Sequence, residues 1–271
     1  MADTEARRVA AAPRLAAIDL DGTLLRSDGS VSERTRAALA SARARGLTIV
    51  LVSARHPGAL AEVARDAGVG GLAICSNGAT VFDLDRCRVV RERALASEVA
   101  EKLVRELRER APGVRFAVET RAQMAFEPGF SAWDWEPPEG TRFADALELV
   151  TDPITRLIVR HDSYELEVLA ALVRELVGES ATVVVPGTWT VELSAAGVNK
   201  AAALAELCDD LGLGAPDVIA FGDFLNDMPM LAWAGRSVAV ANAHPDVIAA
   251  ADEVTASNDE DGVALVLESL C

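Results

Sequence analysis

Ile18-Asp19-Leu20-Asp21-Gly22-Thr23-Leu24 is the stretch on which the reading of the whole chain turns. It closes a short apolar run, Leu15 to Leu20, that fits a buried strand, and Asp21-Gly22 is a turn signal. Asp19 and Asp21 stand two apart, so in extended backbone their side chains lean to the same side. In open α/β sheets the carboxyl ends of the strands are where ligands bind. Two carboxylates at such an end are costly unless something cationic sits between them. An acidic turn after a buried strand is the plainer alternative, and it suits D-G alone better than the full D-x-D-G-T run.

Outward from this stretch the chain alternates strands and helices. Ser32 offers an N-cap to a helix running to about Arg45 and closed by Gly46. Leu47 to Val52 reads as a second buried strand, Pro57 and Gly68 bracket a second helix, and Leu72 to Cys75 is a third strand. Asn77-Gly78 then opens a hairpin. This order predicts a doubly wound parallel sheet with helices on both faces, an α/β core. From about Ala94 the order becomes helix-strand-strand, helix-strand, helix-strand-strand, and the first pattern resumes after Gly197. The simplest division is a core made of residues 1–93 and 195–271, interrupted by an inserted α+β domain at 94–194.

A second acidic cluster, Gly222-Asp223-Phe224-Leu225-Asn226-Asp227, follows another apolar strand. Carboxylates from two neighbouring strand ends can share a hard, oxygen-preferring cation, and Mg²⁺ takes a few carboxylates plus waters and a phosphate oxygen. Helix capping accounts for Asp227 equally well when that residue is taken alone. Ser53 ends the second strand, where its hydroxyl and the amides after it, beginning with Ala54, suit a phosphate oxygen. Lys200 opens a helix, a position at which a lone lysine is ordinarily a solvated surface charge.

Taken together, these segments resemble the haloacid dehalogenase superfamily, and more closely its Cof-type phosphatases, which carry a large α/β cap. The resemblance rests on Asp19 to Thr23, Ser53, Lys200 and Gly222 to Asp227 in that order. Ser76-Asn77-Gly78-Ala79 and the tail Ser257 to Val263 add to it. It implies a phosphatase acting on small phosphorylated metabolites, such as sugar phosphates, through an aspartyl-phosphate on Asp19. It implies Asp21 as general acid and base, and Mg²⁺ held by Asp19, the carbonyl of Asp21, and Asp223, with Asp227 steering its waters. Leu20, Ser53, Ala54, Lys200 and Asn226 would hold the phosphate. Where the family usually has Thr-Gly-Arg, this chain has Ser53-Ala54-Arg55, which keeps the hydroxyl but gives less backbone freedom at Ala54. Trp133 and Trp135, in a Trp-rich loop of the insert, are candidate substrate contacts, against the plainer reading that they pack the insert's own core. A phosphomutase would use the same residues. A phospho-aspartate signalling module is the alternative of another class, but such modules are far shorter and have no insert.

Composition narrows the field. Half of the 271 residues are hydrophobic, which supports an ordinary buried core, and only 4% are aromatic, so Ala, Val and Leu must do most of the packing. The net charge of −16 is the wrong sign for a general nucleic-acid binder. It also means that a phosphorylated substrate must be drawn by local cations in a cleft. No apolar run approaches the roughly 18 residues that span a membrane. The first 13 residues lack a signal-peptide segment and read as a frayed leader, so a cytoplasmic location is expected. Cys75, Cys87, Cys208 and Cys271 show no metal-binding spacing and read as reduced thiols. Nothing in the pattern indicates an oligomeric state.

Overall fold

A computed structural model describes residues 12–121, 123–130, 140–187 and 189–270. Most of the expected N-terminal leader, Trp133, Trp135 and Cys271 lie outside the described residues. The first half runs β1 (Leu15–Asp19), α1 (Glu33–Ala44), β2 (Thr48–Val52), α2 (Pro57–Ala67), β3 (Leu72–Cys75), β4 (Thr80–Asp83), β5 (Arg88–Glu92) and α3 (Ser97–Arg110). There follow β6 (Arg115–Glu119), β7 (Met124–Phe126), β8 (Arg142–Phe143), α4 (Ala146–Leu149), β9 (Arg156–Arg160), α5 (Leu166–Val177), β10 (Ala181–Val184) and β11 (Val191–Ala195). The chain ends with α6 (Lys200–Asp210), β12 (Val218–Gly222), α7 (Met228–Trp233), β13 (Arg236–Ala239), α8 (Pro245–Ala250), β14 (Glu253–Val254) and α9 (Gly262–Ser269).

Two sheets result. The larger has the order β14-β13-β12-β1-β2-β3-β4-β5, parallel from β14 to β3 and antiparallel beyond. Its centre is buried on both faces, which is why β1 is apolar at every position but its last. Ala16 and Ile18 face the cluster under α1, α2 and α9, while Leu15 and Ala17 face the cluster under α6 and α7. Each fully buried side chain of the size of Ile18 stabilises the fold by about 1.5–3 kcal/mol. The helix ends follow the sequence signals. Ser32 Oγ accepts from the Thr35 amide at 2.9 Å, and Gly68 closes α2 in the left-handed conformation.

The smaller sheet, β10-β11-β9-β6-β7-β8, is antiparallel except for the β7–β8 pair. Its strands alternate. Phe116, Val118, Leu157, Val159, Val191 and Leu193 pack with α3, α4 and α5. The opposite face carries Ala117, Phe126 and Ile158 together with Glu119, Arg156 and Glu192, and it lies toward the first sheet. The strand expected to reach Leu20 stops at Asp19, because Leu20 to Leu24 form a wide turn with Gly22 at φ +81°. Two strands of two residues, β8 and β14, are too short to leave a periodic signal. Among the described residues no helix is long and apolar enough to cross a membrane.

Candidate active site

The site forms where three neighbouring strands of the larger sheet, β12, β1 and β2, end side by side. β1 delivers Asp19 as its last residue, β12 is followed at once by Asp223, and β2 by Ser53. Gly22 is required by the turn itself. Its φ is left-handed, and a Cβ there would lie 2.4 Å from Asp223 Oδ2. Thr23 Oγ1 donates to Asp223 Oδ1 at 2.9 Å, tying the two acidic loops together. Asp227 Oδ2 accepts from the amides of Asp223 and Phe224, each at 3.1 Å, so its carboxylate is built into the loop.

Lys200 is not the surface charge that its position suggests. Its side chain is 2% exposed, and its Nζ donates to Asp19 Oδ1 at 2.6 Å and to Asp227 Oδ1 at 2.5 Å. A cation in the first turn of a helix opposes the helix dipole, by typically 0.3–1 kcal/mol at the surface. Its placement therefore serves the carboxylates and not α6. Burial works against the ammonium, yet Asp19 and Asp227 hold its pKa above the ordinary lysine value.

Carboxylate oxygens of Asp19, Asp223 and Asp227 lie within 4.8 Å of one another. Burial, then the charge of Asp227, pushes Asp19 well above the usual carboxylate range against the pull of Lys200. The same two causes push Asp223 up to about 6. A cluster that is short of positive charge, and that offers only hard oxygen donors, fits a small divalent cation of the Mg²⁺ kind.

Asp21 lies apart from this cluster. Its side chain is 56% exposed and receives two hydrogen bonds from Arg55, Nε to Oδ2 at 2.8 Å and Nη2 to Oδ1 at 2.5 Å. Ser53 is buried, and its hydroxyl accepts from the Arg55 amide at 3.1 Å. Asn226 Nδ2 donates to Asn77 Oδ1 at 3.1 Å. The tail that shares the family pattern is a brace. Asn258 Nδ2 donates to the Leu25 carbonyl, its amide to Asn242 Oδ1, and Asn242 Nδ2 to the Gly22 carbonyl, each at 2.8–2.9 Å.

Sequence reasoning assigned no role to Arg55, Asn77 or Asn242, nor to the charged face of the smaller sheet. The charges of Glu119, Arg156 and Glu192 are visible in strands whose alternate positions are apolar. Ordinary strand amphipathicity explains such charges as solvent-facing, and only the docking of the two sheets buries them.

Comparison with known proteins identifies the family. The family model described as haloacid dehalogenase-like hydrolase matches residues 16–267. A Bacillus subtilis protein named 5-amino-6-(5-phospho-D-ribitylamino)uracil phosphatase is 31% identical over 255 residues, 93% of each chain. An HMP-PP phosphatase of Escherichia fergusonii is 30% identical over 245 residues, 86% of each chain. Among solved structures, a haloacid dehalogenase-like hydrolase from Bacteroides thetaiotaomicron superposes with a TM-score of 0.80 at 27% identity, over 96% of this chain and all of that one. The chain belongs to the haloacid dehalogenase-like hydrolases, among the Cof-type phosphatases with a second-sheet cap.

Proposed function

We propose that the chain hydrolyses phosphate monoesters of small metabolites through a covalent phosphoryl group on Asp19. The observation that carries this reading is Asp19 itself. It is buried at the end of the central strand, held by Lys200, with two further carboxylates within reach of one shared cation. Asp19, Asp223, Asp227 and the carbonyl of Asp21 would hold Mg²⁺. When bound, that ion neutralises charge on the phosphoryl oxygens and so lowers the barrier to attack by an anion.

An Asp19 carboxylate oxygen attacks phosphorus as the bond to the leaving oxygen breaks. Asp21 gives a proton to the departing alkoxide. It then takes one from the water that attacks the aspartyl-phosphate, which releases inorganic phosphate and restores Asp19. Lys200 Nζ, Ser53 Oγ, the amides of Leu20 and Ala54 and the Asn226 amide hold the phosphoryl oxygens. Asp21 begins this sequence paired with Arg55 at the mouth of the cleft, so proton transfer requires its side chain to leave that pair and turn toward the leaving oxygen.

The non-phosphate part of the substrate has a chamber beside Arg55. A cavity of about 690 Å³ is lined there mainly by Met124, Phe126, Phe130, Ile158 and Trp189, with Arg156 and Glu192 also in its wall, and its volume is within the range of about 300–1,000 Å³ typical of small-molecule sites. Residues 94–194 serve as the cap that closes over it and excludes water. The apolar lining favours a leaving group with a flat, apolar face over a bare polyol. Phosphate release from a panel of ring-bearing and sugar phosphates tests the reading, with rapid-quench mass spectrometry to locate the phosphoryl group. An active enzyme that never carries phosphate on Asp19 would overturn it.

A further inference from the structure

Among the buried charged side chains of the cap, three face the core and have no task in the chemistry above. Glu119, Arg156 and Glu192 project from β6, β9 and β11 toward the core. Arg156 Nε donates to Glu119 Oε2 at 2.8 Å, and its Nη1 reaches both Glu192 and the Ala54 carbonyl, the latter at 2.8 Å. The two carboxylates continue into the core. Glu119 accepts from Ser76 Oγ, and Glu192 Oε2 accepts from Asn77 Nδ2 at 2.8 Å. A buried ion cluster seldom stabilises a fold more than apolar packing of the same volume, so stability alone does not account for it.

The core residues that these carboxylates grip are unusual. Ser76 and Asn77 have φ of +52° and +55°, two successive left-handed residues of which neither is glycine. The far side of their turn abuts the catalytic groups. A Cβ on Gly78 would lie 2.3 Å from the Asn199 carbonyl oxygen, and Asn199 caps α6, whose first residue is Lys200. Asn77 Oδ1 accepts from Asn226 Nδ2. The hydrogen-bond logic runs one way. A carboxylate only accepts, so Glu192 fixes the Asn77 NH₂ toward the cap. The Asn77 oxygen is thereby left to face Asn226, and it fixes that amide as a donor.

We propose that Asn77 is a positioning residue that registers cap closure in the catalytic site: Glu192 orients Asn77, Asn77 orients Asn226, and their turn sets where α6 presents Lys200. The inference rests on the reading of Asn226 and Lys200 as phosphate-holding groups. When the cap lifts, Arg156 keeps its carboxylates, but Asn77 loses its acceptor and the left-handed turn loses its side-chain anchors. Catalysis is thus completed only under a closed cap.

Asn77→Gly tests this directly, because glycine adopts the left-handed backbone freely and removes only the amide. With a metabolite phosphate as substrate, kcat should fall by about 10- to 100-fold while KM stays within about threefold. The thermal midpoint should not fall. Glu192→Ala should lose kcat to a similar extent, and Glu192→Gln, whose amide oxygen still accepts from Asn77, should recover most of it. The double variant Asn77→Gly/Glu192→Ala should be no slower than either single one, since both break one chain of contacts. Wild-type kcat in Asn77→Gly, or a double variant whose loss is the product of the single losses, overturns the proposal. If Glu192→Ala does not fold, Asn77→Gly decides alone. A wild-type chain that releases no phosphate from any ester overturns the underlying phosphatase reading; an active wild type with an equally active Asn77→Gly overturns only the relay.

Discussion

Replacing Lys200 by Met keeps an unbranched stem in the core and removes the one ammonium between Asp19 and Asp227. The scale of the cost follows from the carboxylates left behind. Relieving Asp19 alone by proton uptake, from the ordinary value of 3.8, costs about 5 kcal/mol at pH 7.5. That figure is comparable to the roughly 3–5 kcal/mol typical of breaking a buried ion pair. At pH 5.5 the same proton uptake costs about 2 kcal/mol. The sign follows from burial. It raises the folded pKa of Asp19 above its unfolded value, so the variant is most stable below the unfolded pKa and loses stability as pH rises toward the folded one. Urea unfolding in the presence of a chelator, at both pH values, measures the difference from wild type. Lys102→Met is the control, because Lys102 is exposed and only 3.7 Å from Glu106, a surface pair worth about 0–1 kcal/mol. A Lys200→Met penalty no larger than that of Lys102→Met, or one that grows on acidification, would refute the reasoning.

Other expectations concern the chemistry. Asp19→Asn should abolish phosphate release, and should unfold at the same or a higher urea concentration than wild type without metal, since it removes a buried repulsive charge; substantial turnover in contaminant-free variant would contradict the role of Asp19. A chelator should remove activity and Mg²⁺ restore it, with Ca²⁺ a poor substitute because its larger, looser shell misplaces the reacting groups; steady-state rates across metals check this. Asp21→Asn should slow the first, phosphorylating step severely for a sugar phosphate and mildly for an activated aryl phosphate, whose leaving group needs little protonation. Single-turnover measurements separate that step, and equal slowing for both esters would remove Asp21 from the acid role.

The parts of the site that were legible in the sequence are those that local chemistry announces. An apolar run ending in Asp19-x-Asp21-Gly22 reads as a strand end with a charge problem, and the structure puts that strand at the middle of the sheet. Ser32 and Gly68 bound helices as their side chains and backbones require. Lys200 was legible only through the order of the motifs, for nothing in its own surroundings distinguishes it from a solvated lysine at a helix start. Glu119, Arg156 and Glu192 were illegible for a physical reason. Each occupies the polar phase of an alternating strand, and alternation says that the face is polar without saying whether water or another domain covers it. Asn77 escaped notice because Asn-Gly is sufficient to explain a turn, and its side-chain partners come from 115 and 149 residues further along the chain.

Charge counting shows why such pairs matter to an enzyme of phosphate esters. Asp19, Asp21, Asp223, Asp227, Glu119 and Glu192 surround Lys200, Arg55 and Arg156, and each of these three cations is already hydrogen-bonded to carboxylates. A phosphate dianion approaching this arrangement meets a net negative cleft in a chain whose overall charge is −16. At an effective dielectric constant of about 20, one uncompensated pair of unit charges 4 Å apart costs roughly 4 kcal/mol. The acidic cluster must therefore be neutralised before the ester is held. Arg55 is the cation best placed to change partners, because it and Asp21 are the most exposed of the paired groups. An incoming anion competes with Asp21 for the Arg55 guanidinium, so on the proposed mechanism the release of Asp21 toward the leaving oxygen and the capture of the substrate's charge would be one exchange at the mouth of the cleft.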